Sequence, residues 1–234
     1  MMKKITLFIL VLALCSQAAA SDVEVWQDPS VDFGGLKKIF VMPPDFSLKA
    51  GTQLMPQKQL RADFFNWTAD GIRSAFGKKS KLLVKTLDSV LDDMSFIKGG
   101  NVSVNDPDFF RNASEMGYTA FIVAGISQEF VSEHVPETTR TYTEYREIEK
   151  RDYKGRIIET IRIPEERTEI IPAHDVTYLH TVCEPKLYST KDPHGDYIGA
   201  VNYRIYREYQ GGPVMKVVEN ITKASMKNLF AGKK

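Results

Sequence analysis

Cysteine is almost missing from this chain: only Cys15 and Cys183 occur in its 234 residues. Cys15 lies in a segment expected to be removed, so no internal disulfide forms and stability is expected from packing, with Cys183 a buried, inert thiol. A charge of one sign is missing too. The 31 Lys and Arg residues are matched by 30 Asp and Glu, and without clustered positive charge the composition argues against a nucleic-acid partner. Long apolar runs are confined to Ile5–Cys15, too short for a permanent bilayer span, so no transmembrane span is expected in the mature chain. Phosphate-cradling glycine loops, the G-x-S-x-G elbow, H-E-x-x-H and G-x-G-x-x-G are all lacking.

Histidine is scarce, with four residues in all. His174 and His180 lie six apart on a predicted strand, roughly 20 Å at the usual rise, too far to share a metal. His180 and Cys183 differ by an odd number and point to opposite faces of that strand. His194 falls in the turn KDPHG beside Asp192 and Asp196, where turn preference explains it. His134 has no partner in view, and Asp92-Asp93 read as capping residues rather than an acid pair. Neither a cofactor nor a metal nor an enzymatic activity is expected. The competing reading is a soluble periplasmic enzyme whose site lies at the sheet ends, with His174, Asp175 and His194 as candidates.

What the chain does have begins at residues 1–22, MMKKITLFILVLALCSQAAASD. Two lysines, an apolar run and Ala18-Ala19-Ala20 make a secretory signal peptide, with cleavage expected after Ala20 and export to the periplasm or the outer envelope. Leu14 is too bulky for the position before a lipidated Cys15, so lipidation is not expected. Four N-x-S/T sequons, at Asn66, Asn101, Asn112 and Asn220, read as chance.

Residues 21–234 then read as one α/β domain. A short polar lead precedes a strand in LKKIFVMPP (36–44), stopped by Pro43-Pro44. A helix over 57–79 carries Leu60, Phe64, Trp67 and Gly71 at helical spacing beside Phe65, Ala69, Ile72 and Phe76, ending at Gly77 and Lys78-Lys79. A strand in KLLVKTL (81–87) is followed by a polar, glycine-containing loop. Asp106 is read as the N-cap and Pro107 as the first residue of a helix ended by Gly117. The apolar run TAFIVAGISQEF (119–130) reads as a strand covered on both faces. Strands over 176–189 and 196–209 flank KDPHG, and the second alternates Tyr197, Gly199, Val201, Tyr203 and Ile205 with polar residues. A final helix buries Val214, Val217, Val218, Ile221, Ala224 and Leu229 and ends in a basic tail. The fold class is therefore α/β (α+β), a mixed sheet packed by about three helices.

An inserted hairpin is expected at about 138–165. RDYKGR (151–156) is a turn, and residues 140–150 and 156–163 are its arms. If Asp152 pairs with Gly155, Tyr145 faces Arg162; if it pairs with Arg156, Tyr145 faces Ile163. Neither pairing makes one face cleanly apolar, so the hairpin is expected to project into solvent, with arms of about 33 Å. EYREIEKR alone would also satisfy helix propensity. Two strands by themselves are marginal in water. One reading is a solvated ribbon; the other is a docking arm with Tyr142, Tyr145, Tyr153 and Arg162 as its adhesive residues.

The signal segment, KKIFVMPP, the amphipathic helix, GYTAFIVAG, a strand ending in LYS and the final helix resemble a family of small exported α/β proteins of bacterial envelopes. These are related to the curli-secretion lipoprotein and the TolB N-terminal domain. RDYKGR and IPAHDVTYLHTV also resemble exported proteins of Gram-negative-type Firmicutes. The resemblance implies a mixed sheet with helices on it and an envelope location, and carries no catalytic residues. The chain departs from the curli-secretion pattern in lacking a lipobox and paired amphipathic strands long enough for a barrel. A non-enzymatic envelope component is expected, binding an envelope protein or a second copy of itself through the 140–163 hairpin.

Overall fold

The computed structural model describes residues 20–50, 56–76 and 82–231. The expected leader with Cys15, the expected stop of the first helix at Gly77 to Lys79 and the end of the basic tail lie outside the described residues. The chain divides into two compact units, residues 1–131 with 178–234, and Ser132–Thr177.

In the first unit a seven-stranded sheet runs in the order β1 (Ala20–Gln27), β9 (Gly199–Glu208), β8 (His174–Ser189), β5 (Ala120–Val135), β2 (Lys38–Val41) and β4 (Leu83–Thr86), with β3 (Asp45–Leu48) also on β5. β2 is parallel to both β4 and β5, whereas β9 is antiparallel to β1 and β8. The sheet is mixed, as the sequence predicts.

Among the described residues four α-helices accompany it, α1 (Gln57–Phe76), α2 (Leu87–Lys98), α3 (Phe109–Glu115) and α4 (Val214–Phe230). Phe64 and Ile72 of α1 and Val218, Ile221 and Leu229 of α4 share one core with Ile39, Val41, Ile122, Cys183 and Val201 of the sheet. On the opposite face Val90 and Met94 of α2 and Phe109 and Ala113 of α3 pack on Phe40 and Phe121. The polar groups of the core are placed accordingly. Gln128 donates to Thr181 Oγ1 at 3.0 Å and to the Val214 carbonyl at 3.2 Å, tying β5 to β8 and α4.

Several expectations change. The polar lead contains β1, whose Ser21 to Gln27 pair with Ile205 to Gly199. Its end is clamped by Gln27, which donates to the Leu229 carbonyl at 2.7 Å. The loop after β4 is α2 instead. Thr86 accepts from the Ser89 amide as its N-cap, and Gly99 ends it at φ 66°, a left-handed conformation suited to glycine. Asp92 and Asp93 therefore sit in mid-helix rather than capping one, and Asp93 holds Lys85 at 2.7 Å. The third helix starts later than expected. Asp108 is its N-cap, and Asp106 accepts from the Asp108 amide at 2.9 Å in the turn before it. The run at 119–130 is covered on both faces only over Ala120–Ile122, because α2 and α3 reach no further along it; Val123 is already exposed.

Cys183 is fully buried, and burial pushes its thiol from 9.0 up to about 12. Tyr118 also rises, from 10.0 to about 12, through burial first and the Asp93 carboxylate second. Both are acids that ionise more readily in the unfolded chain. Their effect is nil below about pH 9, and stability falls as the pH climbs from there toward 12. Urea midpoints measured across this range should fall for the native protein. The fall should be shallower in a Cys183→Ala, Tyr118→Phe double variant; an equal slope would contradict the assignment. At pH 8 a thiol reagent should label Cys183 only after unfolding.

Candidate partner-binding ribbon

The second unit is built around a two-stranded antiparallel sheet of β6 (Thr138–Arg151) and β7 (Ile157–Ile171). Its turn is made by Asp152, whose carbonyl accepts from the Gly155 amide at 2.9 Å while its amide donates to the Arg156 carbonyl at 2.8 Å. Asp152 Oδ1 also accepts from the Lys154 and Arg156 amides at 2.8 and 2.9 Å. Gly155 supplies the positive φ, 77°, that closes a type I turn into a bulge.

The arms are longer than the 140–150 and 156–163 expected, since β7 continues through Pro164. Proline is tolerated there because both strands of a two-stranded sheet are edges. The register lies one residue beyond the second expected pairing and two beyond the first. A second irregularity leaves Arg151 opposite Ile157 but Lys150 opposite Glu159, so that Tyr145 faces Pro164.

This register sorts the side chains, since directly opposed residues share a face. One face carries Tyr142, Ile148, Ile161 and Ile163, with Ile148 opposite Ile161. The same face carries a line of ion pairs, Arg167 to Glu144 at 2.6 Å, Arg146 to Glu165 at 3.7 Å and Lys150 to Glu159 at 3.7 Å. The other face carries Tyr145 and Arg162, and Arg162 is held by the directly opposed Glu147 at 2.7 Å. Tyr153 stands at the turn, 92% exposed, under the Lys154 ammonium at 5.3 Å. The four residues singled out by sequence thus occupy two faces and a tip rather than one patch. The three isoleucines that share a face with Tyr142 were not singled out. The pairing of Tyr145 with Arg162 would also have set them on one face, whereas the pairing with Ile163 would have split them, and no residue type chooses between the two.

Every residue of β6 is exposed, and so is β7 apart from the half-buried Glu165 and Ile171. Between residues 138 and 171 eight basic residues balance eight acidic ones. The charges are paired within the ribbon, and the apolar groups stand in water. Ile161, Ile163 and Tyr142 are each 42% exposed and Tyr145 is 63% exposed.

The histidine candidates have local partners. Asp175 is hydrogen-bonded to His134 at 2.8 Å, and His174 Nδ1 lies 3.0 Å from the Pro172 carbonyl. His194 stands edge-on to Phe110 in the first unit. Among the described residues no three His, Cys, Asp or Glu side chains are grouped as metal ligands.

No protein-family model and no curated protein matches the sequence. Among solved structures, the chain is similar to the PelC dodecamer from Paraburkholderia phytofirmans, at 9% identity, 91% of this chain, 100% of that one and a TM-score of 0.42. It is also similar to lipoprotein GNA1162 from Neisseria meningitidis, at 9% identity, 79% of this chain, 92% of that one and a TM-score of 0.32.

Proposed function

We propose that this protein is a non-enzymatic binding or assembly component of the cell envelope, exported by its N-terminal leader, and that the β6–β7 ribbon is its contact element. The observation that carries the reading is the ribbon's exposure on both faces. Two strands with neither face covered are marginal in water, yet this pair runs for 14 residues in β6 and 15 in β7. Tyr142, Tyr145 and Tyr153 with Ile148, Ile161 and Ile163 offer the aromatic and aliphatic area that interfaces use. The unpaired outer edges of both strands offer backbone groups for strand addition. Because the ribbon's charges cancel internally, association rests on short-range apolar contact and depends little on salt. The partner is an envelope protein or a second copy of the chain.

Thr141 and Thr168 face each other across the ribbon, so replacing residues 142–167 by Asn-Gly closes it as a short hairpin. The shortened protein should unfold at the same temperature as the native one and lose its partner, or its self-association, in crosslinked envelopes. An unchanged complex would contradict the proposal.

A further inference from the structure

β2 stops at Val41, ahead of Pro43-Pro44, and the chain resumes as β3 with Asp45 to Leu48 against Gly125 to Gln128 of β5. Its parallel neighbour β4 stops at Thr86, which caps α2. The helices that follow diverge: α1 belongs to the core on one face of the sheet and α2 to the core on the other. Adjacent parallel strands whose next helices part in this way leave a crevice beyond their carboxyl ends, where open α/β sheets bind ligands. A cavity of about 550 Å³ lies there, bounded by Met42, Pro43, Phe65 and Leu87 with Lys58 and Arg61 on its rim. Its volume falls in the range of small-molecule sites, which are mostly apolar with a few charged groups.

Some cations of the same unit, Lys49, Arg73, Lys85, Lys216 and Lys223, each have an acidic partner. Lys58 and Arg61, three apart on one side of α1, have none among the described residues. Asp88, also on the rim, is in the first turn of α2, where a carboxylate suits the helix dipole.

We infer that this crevice binds a small amphipathic anion, its carboxylate or phosphate head held by Lys58 and Arg61 and its apolar body lying over Met42, Pro43, Phe65 and Leu87. The site is separate from the ribbon and stands or falls independently of it.

Calorimetric titration of the full mature protein with sodium decanoate and, in parallel, with 1-decanol tests it. Decanoate should bind saturably below its micellar concentration. Lys58→Glu with Arg61→Glu should weaken it by about tenfold or more, the order expected for lost charge-assisted contacts, while decanol is unaffected by that change. Ala62→Trp, at an exposed position on the cavity wall, should remove binding of both compounds with circular dichroism unchanged. Absence of saturable decanoate binding would overturn the inference. So would decanoate binding that Ala62→Trp or the charge reversal leaves intact.

Discussion

Gly71→Val is expected to destabilise the protein by about 3 kcal/mol, at the upper end of what core overpacking costs. A Cβ at Gly71 would lie 2.5 Å from the Lys223 carbonyl oxygen, 2.8 Å from Met226 Cβ and 3.1 Å from Lys223 Cα. Two of these three atoms are α4 backbone, which cannot swing aside as a side-chain tip can. α1 and α4 cross at this point, with Thr68, Ala69 and Ile72 on one side and Thr222, Ser225 and Met226 on the other all buried. Even Gly71→Ala tests the crossing. Helix propensity alone would favour alanine by about 1 kcal/mol, so a net loss in urea unfolding means the close approach dominates. A stabilised alanine variant would mean that α4 moves away freely and the crossing is not tight.

Phe40→Ala should cost roughly 3–5 kcal/mol, the range for a fully buried phenylalanine. Phe40 has no exposed surface and is ringed by Phe121, stacked at 5.5 Å, and by Tyr118 and Phe109, edge-on at 5.6 and 5.9 Å. It is the contribution of β2 to the smaller core that fastens α2 and α3 to the sheet. Hydrogen exchange should rise first in α2 and α3 while α1 and α4 stay protected. Uniform loss of protection across both faces would show instead that the two cores unfold as one.

The parts of this fold that were legible in the sequence are those with long runs of one period. α1 and α4 each show a stripe of apolar residues over four or more turns, and β5 and β9 show extended apolar or alternating runs. β1 was missed because Val23 and Val25 are its only aliphatic residues, and its partner β9 lies about 180 residues away in the chain. α2 was missed because Asp88, Asp92 and Asp93 mask a stripe of only three buried residues, Leu87, Val90 and Met94. Its strongest signals, Thr86 at the start and Gly99 at the end, are single residues.

The ribbon was legible as a turn with two β-rich arms. Asp152 and Gly155 write that turn into the sequence with the chemistry it needs. Its faces were not legible, since a one-residue slip transfers each side chain to the other face. Both faces mix charge with Ile or Tyr, so no apolar pattern selects a register. The ion pairs that settle it join residues 9 to 23 positions apart on different strands, Lys150 with Glu159 and Glu144 with Arg167 at the extremes.

Site-specific photocrosslinking in intact envelopes tests the ribbon as a docking arm most directly, with the probe placed in turn at Tyr142, Tyr145, Tyr153 and Ile161 and a control at the exposed Lys227 of α4. The predicted result is one discrete adduct from at least one face of the ribbon, identified by mass spectrometry as a single envelope protein or as a second copy of this chain, and none from Lys227. Silence at all four ribbon positions in a folded, exported protein would contradict the proposal and leave β6 and β7 a solvated ribbon without a binding role.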